Sequence, residues 1–146
     1  MYPNLRSGMF LEGANGPALF QANVQVALQA DEREYQLEER SVLERNHMIG
    51  LYVTKPGTVV ETGKTQASGA VFDSASITLR IGTTEIMRRI YFHHILAANE
   101  AGCPYEVSLP DSVNLRESVL EIRDDGNIQA NTVLEFQVVY VKKTRR

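Results

Sequence analysis

The sequence lacks most of the features on which disulfide-stabilised, sugar-stacking and membrane-spanning proteins depend. Of the 146 residues only Cys103 is a cysteine, which excludes an intrachain disulfide. Tryptophan, the largest aromatic platform for stacking a ligand, is absent. No apolar run approaches the roughly 18 residues that cross a bilayer. Because the N-terminal residues also lack the pattern of a signal peptide, we expect a protein that is made in a reducing compartment and is not exported by the Sec route.

Catalytic motifs are missing as well. The chain has no nucleophile elbow, no glycine-rich phosphate loop and no cysteine pair. A catalytic triad can still assemble from distant residues, so these absences lower the expectation of an enzyme without excluding one. We expect no enzymatic activity, no cofactor and no small-molecule substrate.

What the sequence does contain is a two-residue alternation of apolar and polar side chains. Residues 76–81 alternate strictly, a Gly-Thr-Thr turn follows, and a second β-rich run begins at Glu85. The same period recurs from residue 22 to the C-terminus and is typical of half-buried strands. Short runs without crossover helices predict an all-β fold, an antiparallel, jelly-roll-like β-sandwich of about eight strands. Its predicted core contains Val24, Val26, Ile77, Leu79, Ile81, Leu134, Phe136 and Val138.

Composition divides the chain into three parts. Residues 1–21 combine glycine and proline breaks with scattered apolar residues, which favours an extended N-terminal arm that lies on an apolar surface. Residues 22–141 form the predicted β-sandwich domain, and residues 142–146 form a basic C-terminal tail. Three local elements are predicted inside the domain: a strand over 35–45, a helical turn over 95–102 that Gly102 ends, and a tight turn over 124–127.

The net charge of −3 is unevenly distributed along the chain. Four positive charges lie in the tail, and without them residues 1–141 carry a net charge of −7. A basic tail on an acidic body can contact nucleic acid, acidic lipid or an acidic neighbouring subunit. The alternative is that the tail only keeps the last strand soluble. The four charged tail residues are Lys142, Lys143, Arg145 and Arg146.

Two groups of side chains were considered as metal sites, and for both a structural role is the stronger interpretation. His93 and His94 are adjacent, and neighbouring side chains of a strand point to opposite faces, so one ion would not reach both. No metal site is therefore expected there, even with His47 as a third imidazole. Asp124 and Asp125 lack the carboxylate spacing of a calcium loop, so a turn is the better interpretation.

Arginines are concentrated on or beside the central predicted hairpin. Arg80, Arg88 and Arg89 form either a patch that binds phosphate or glycan groups or the outward faces of strands. The second interpretation pairs them with carboxylates such as Glu85, and we favour it.

Taken together, these patterns resemble a single jelly-roll structural protein of an icosahedral bacteriophage. The parts that carry the resemblance are the arm MYPNLRSGMFLEGANGPALF, the strand SITLRIG, the run EIMRRIYFHHIL and the closing strand TVLEFQVVYVKK. The resemblance implies a non-enzymatic coat, minor capsid or penton-type vertex subunit in the virion, made in the host cytoplasm. Its implied partners are other copies of the chain and neighbouring capsid proteins. The arm residues expected to pack on a neighbour are Phe10, Leu11, Leu19 and Phe20.

Two other classes of function remain open at the level of the sequence. A carbohydrate- or receptor-binding β-sandwich module would have the same strand pattern and would tolerate loss of the arm. A cupin-like enzyme would need a metal, which a titration with zinc or nickel would reveal.

Overall fold

The chain folds into two β-sheets that pack face to face. The structure, a computed structural model, describes residues 19–39, 41–43, 46–107, 115–123 and 128–142. Within these ranges there are ten strands, two α-helices and one 3-10 turn. The strands are β1 Leu19–Ala27, β2 Glu34–Gln36, β3 Asn46–Val53, β4 Val59–Glu61, β5 Lys64–Gln66, β6 Ser76–Ile81, β7 Thr84–Tyr91, β8 Tyr105–Glu106, β9 Val119–Glu121 and β10 Thr132–Lys142. The helices are α1 Gly69–Ser74 and α2 Phe92–Glu100, and the 3-10 turn is Ser41–Leu43.

Eight of these strands pair like a long hairpin that has been rolled up. The first strand pairs with the last, β2 pairs with β9, β3 with β8 and β6 with β7, all antiparallel. The resulting strand orders are β1-β10-β3-β8 in one sheet and β2-β9-β6-β7 in the other. Nested antiparallel pairing over two such sheets is the arrangement of a jelly roll. The predicted jelly-roll-like β-sandwich is therefore confirmed.

The other two strands belong to a hairpin inserted between β3 and β6. β5 pairs with β4 and runs parallel to the start of β10, whereas from Phe136 onward β10 pairs with β3. The buried side chain of Gln66 bridges this change of partner. Its Oε1 accepts the N–H of Glu135 at 2.7 Å, and its Nε2 donates to the carbonyls of Glu135 and Thr54 at 3.1 and 3.0 Å. One side-chain amide thus hydrogen-bonds to three backbone groups at the point where the strand pairing changes.

Most of the residues that the apolar–polar alternation predicts for the core are buried between the sheets. Val26 is only half-buried, and Ile81 is 37 % exposed because it ends β6 beside the Gly82 turn. The prediction for Ile81 is therefore wrong. The other predicted core residues are buried: Val24, Ile77, Leu79, Leu134, Phe136 and Val138.

Several element boundaries differ from the sequence prediction. β1 begins at Leu19, so the last three residues of the predicted arm, 19–21, are part of the sandwich. The strand predicted over 35–45 is wrong in length, because β2 ends at Gln36 and a 3-10 turn follows at Ser41–Leu43. The tight turn predicted over 124–127 lies outside the described residues.

Helix α2 is longer than predicted and begins at Phe92. Its last residue is Glu100. Gly102, the predicted stop, follows with φ +95°. The N–H of Gly102 donates to the Asn99 carbonyl at 2.9 Å, and the N–H of Cys103 donates to the Ala98 carbonyl at 3.1 Å. These two bonds form a Schellman motif, in which glycine adopts the left-handed conformation at low cost.

Helix α2 also closes one side of the sandwich. It connects β7 of one sheet to β8 of the other and packs against β3, β7 and β8. Phe92 and Ile95, one helical turn apart, are fully buried in the core. The Phe92 ring meets the rings of Phe72 and Phe136 edge to face, with centroids 5.7 and 6.0 Å apart. The opposite side of the sandwich, between β1 and β2, has no such plug among the described residues.

Candidate interaction surface

Both segments that the sequence predicts for intermolecular contacts begin at one end of the sandwich. Leu19 pairs with Val141 in the register of β1 and β10. Residues 1–18 therefore join β1, and residues 143–146 continue β10, at the same end of the same sheet. This end is called the terminal end below.

At the terminal end Phe20, near the end of the predicted arm, contacts Lys142, the first residue of the predicted tail. The ring of Phe20 stacks on Tyr140, with centroids 5.6 Å apart. Nζ of Lys142 lies 4.9 Å from the centroid of the Phe20 ring, a cation–π distance. Phe20 is half-buried against the core of its own chain. Five of the predicted interaction residues lie outside the described residues: Phe10, Leu11, Lys143, Arg145 and Arg146.

The β1 strand has an open side. Leu28 donates its N–H to the Thr132 carbonyl at 3.0 Å. Hydrogen-bonded and non-hydrogen-bonded residues alternate along an antiparallel pair. Val26 is two residues from Leu28, so its backbone groups also bond to β10. Gln25 and Ala27 consequently direct their backbone groups away from β10. No strand among the described residues pairs with this side of β1.

The β2 strand is open in the same way. Leu37 donates its N–H to the Ser118 carbonyl at 3.0 Å. Tyr35 is two residues away, so its backbone groups face β9. Glu34 and Gln36 then direct their backbone groups to the other side, where the described part of the chain supplies no strand. Each sheet thus ends in an unpaired strand edge at this side of the sandwich.

A groove of about 320 Å³ lies between these two edges. We call it the β1/β2 groove, and it is lined by Val24, Gln25, Val26, Ala27, Glu32, Glu34, Tyr35, Gln36 and Glu38. The Tyr35 hydroxyl fixes the corner that joins β1 to β2. It accepts a hydrogen bond from the N–H of Gln29 at 3.0 Å and donates one to the Glu32 carbonyl at 2.8 Å. The groove therefore has a fixed corner, an apolar valine wall and two open strand edges.

The groove carries three exposed carboxylates, those of Glu32, Glu34 and Glu38. Among the described residues that line it, none is basic. Glu34 lies opposite Glu121 across β2 and β9, where like charges repel. None of these four carboxylates forms an ion pair with a residue in the described ranges.

The paired histidines are arranged differently from the prediction. His93 and His94 lie in the first turn of α2, not in a strand, and their ring centroids are 4.3 Å apart. The prediction that the two histidines point to opposite faces of a strand was therefore wrong. Both are exposed, and the Tyr91 ring contacts both. In the described part of the chain no group of three or more His, Cys, Asp or Glu residues is placed to hold a metal ion.

Two of the three arginines near the central hairpin pair with a carboxylate, as the favoured interpretation expects. Arg80 and Arg88 both pair with Glu85, at 3.1 and 3.5 Å. Arg89 has φ +52° in a region where β7 contains register shifts relative to β6. Such bulges and charges are typical of a protected sheet edge.

A second compensated cluster surrounds Arg116. Its guanidinium pairs with Glu117 at 3.1 Å and with Glu39 at 3.3 Å. The hydrogen bond to Glu117 and the negative charges of both carboxylates raise the pKa of Arg116. The carboxylates of the β1/β2 groove differ from these clusters, since in the described part of the chain no cation pairs with them.

A polar cluster covers the outer face of the six-stranded sheet, and its members bond to one another. The Glu135 carboxylate accepts from Asn23 at 3.1 Å, from Gln25 at 3.3 Å and from the Thr54 hydroxyl. Gln137 donates to Asn23 Oδ1 at 2.9 Å and to Thr54 Oγ1 at 3.2 Å. These amide and carboxylate groups are the kind that bind sugar hydroxyls, but a ligand would have to displace their mutual bonds.

A second cavity, of about 290 Å³, contributes no acid–base chemistry. No titratable side chain is among its lining residues, which are Thr65, Gln66, Ala67, Ser68, Val71, Ile128, Gln129, Ala130 and Thr132. Across the described ranges, no helix combines the length and the apolar character that a membrane crossing needs.

The β1/β2 groove was not anticipated from the sequence. For this part of the chain the sequence predicted only a strand over 35–45. The signal that was present is the density of glutamates around a short strand. Comparison with protein-family models, curated proteins and solved structures finds no match for this chain.

Proposed function

We propose that the protein is a non-enzymatic structural subunit that assembles with copies of itself, as in the shell of a bacteriophage. The observation that carries the proposal is the combination of jelly-roll pairing with two terminal segments that start side by side. A segment of 18 residues with scattered apolar side chains precedes β1 and a basic segment of four residues follows β10, while the two sheets already bury their own core. Segments of this kind gain order by burial against a partner.

The jelly roll is suited to such a role because it presents different surfaces on its different sides. Head-to-tail contacts between unlike surfaces close into rings when the rotation between neighbours permits. The terminal end and the β1/β2 groove are unlike surfaces, one with basic residues and one with acidic residues. In this proposal the partners are further copies and neighbouring coat proteins, and the location is the virion.

The alternative is a carbohydrate- or receptor-binding module, which the outer-face cluster around Glu135 favours. Such a module would function without the N-terminal segment. Its ligand would compete with the bonds that Asn23 and Gln25 make to Glu135.

Deletion of residues 1–18 separates these two functions. Because β1 begins at Leu19, the shortened chain keeps the whole strand, and its melting temperature should stay close to that of the full chain. Light scattering after size-exclusion chromatography should find an assembly of the full chain and its loss, or a marked weakening, after deletion. We expect its interface to bury more than about 1,000 Å² in total.

A deletion of residues 1–20 is the matched control for stability. It also removes Leu19 and Phe20 from β1, so it should lower the melting temperature as well as the assembly. A full chain that stays monomeric at all concentrations, or an assembly that does not change on loss of residues 1–18, would contradict the proposed role of the N-terminal segment.

A further inference from the structure

The β1/β2 groove has the properties of an acceptor for an extended basic segment. It lies between two open strand edges, and Gln25, Ala27, Glu34 and Gln36 direct backbone groups toward the open sides. An extended chain can pair with such an edge through main-chain hydrogen bonds. The exposed carboxylates of Glu32, Glu34 and Glu38, which form no ion pair within the described ranges, favour a positively charged partner. A suitable occupant is therefore extended, short and basic.

The chain supplies one segment with these properties, namely residues 143–146 at the end of β10. Together with Lys142 this segment carries four positive charges in five residues. It follows directly on β10, which ends at Lys142. The N-terminal residues 1–18, in contrast, contain one arginine and one glutamate and have no charge complementarity to the groove.

The tail cannot reach the groove of its own chain. Leu134 pairs with Val26 in the middle of the groove, and it lies eight residues back from Lys142 along β10. At about 3.3 Å per residue this separation is about 26 Å. Four extended residues span at most about 14 Å, whereas even the near end of the groove, at Val24 opposite Phe136, is six residues or about 20 Å back from Lys142.

From these observations we infer that the basic tail of one copy occupies the β1/β2 groove of a second copy. The inference rests on the proposed assembly and names one of its contacts, a head-to-tail contact between the terminal end and the groove. It places Lys143, Arg145 and Arg146 next to Glu34 and Glu38 of the neighbour. Since unlike surfaces meet, repetition of the contact generates a ring or an open chain.

Charge reversal on each side, followed by combination of the two reversals, tests the contact. The tail variant is Lys143→Glu, Arg145→Glu and Arg146→Glu, and the groove variant is Glu34→Lys and Glu38→Lys. The groove variant should fold, since a lysine at position 34 faces Glu121 across the strand pair. Each variant alone should raise the apparent Kd of association by at least about tenfold, and an equimolar mixture of the two variants should recover mixed assemblies.

The matched control is Glu100→Lys, which makes the same kind of charge change at an exposed residue of α2 away from the groove. It should assemble like the unmodified chain. Association of the unmodified chain should also weaken as salt is raised, because the contact is between exposed charges.

Zero-length cross-linking with a carbodiimide identifies the occupant. In a mixture of isotopically light and heavy chains, cross-links from Lys143 to Glu34 or Glu38 should join a light chain to a heavy one. Cross-links from the groove to the N-terminal amine, or an assembly that tolerates the tail variant, would overturn this inference and leave the proposed assembly intact. A chain that is monomeric under all conditions would overturn both.

Discussion

The two long sides of this sandwich are closed in different ways. At the side where β7 and β8 end the sheets, α2 crosses from one sheet to the other and buries Phe92 and Ile95 in the gap. At the side where β1 and β2 end the sheets, the described residues cross only at the corner around Tyr35, and a groove of about 320 Å³ remains. On the closed side the helix fills the core, and β7, which is also an edge strand, has register shifts and the Arg88–Glu85 ion pair. The open side leaves strand edges and charges for which another chain is a suitable partner.

Hydrogen bonding differs between the two sides as well. Beyond the short strand β8, the side chain of Asn99 continues the pairing of β3. Its Oδ1 accepts the N–H of Val53 at 2.8 Å, and its Nδ2 donates to the carbonyls of Leu51 and Cys103 at 3.3 and 3.0 Å. A single amide side chain thus takes the place of missing strand residues. At β1 and β2, the backbone groups of Ala27 and Glu34 face the groove instead.

The largest expected effect comes from removing the plug on the closed side. Phe92→Ala deletes a fully buried ring that contacts Phe72 and Phe136, so it should lower the free energy of unfolding by about 3 to 5 kcal/mol. The comparison variant on the open side is Val26→Ala, whose side chain is only half-buried. It should cost clearly less, since less surface and fewer contacts are lost. Urea unfolding of both variants measures the difference, and equal losses would contradict the contrast between the two sides.

A smaller effect is expected from Asn99→Ala. The substitution leaves the N–H of Val53 and the carbonyl of Leu51 without their side-chain partner at a half-buried site, which should cost about 1 to 3 kcal/mol. Gln25→Ala, which removes one bond to the Glu135 carboxylate on the outer face, is the control and should cost less than about 0.5 kcal/mol. Amide hydrogen exchange should be faster at Val53 in the first variant only. Unchanged exchange there would contradict the role assigned to Asn99.

The sequence predicts those features of the fold that depend on residues close together in the chain. Alternation identified the buried positions of β6 and β10, such as Leu79 and Phe136, because a half-buried strand requires it at every second residue. It also predicted the stop at Gly102, because a left-handed residue after a helix favours glycine. These features depend on near neighbours in the chain.

What the sequence did not predict depends on distant contacts. The run at Phe92 looks like a strand from its aromatic and β-branched neighbours, and it becomes a helix because Phe92 and Ile95 fill the gap between the two sheets. The β1/β2 groove depends on which strands lie at the sheet edges, and that is a property of the topology. Of the predicted interaction residues, Phe20 and Lys142 meet at the terminal end, and the role predicted for both in assembly stays a prediction.

The smallest effect is expected from proline on the open edge of β1, and it tests which backbone groups face the groove. Ala27 directs its N–H toward the groove, so Ala27→Pro removes no hydrogen bond of the sheet. Proline is tolerated at an edge position of this kind, and the free energy of unfolding should change by less than about 0.5 kcal/mol. Val26→Pro is the matched variant one residue away, and it removes a bond to β10, so it should lower the melting temperature by several degrees. Thermal unfolding of dilute, monomeric protein measures both, and equal losses would place the N–H of Ala27 in the sheet. If Ala27 does face a partner, the same harmless proline should weaken assembly, because it removes a donor that an added strand would use.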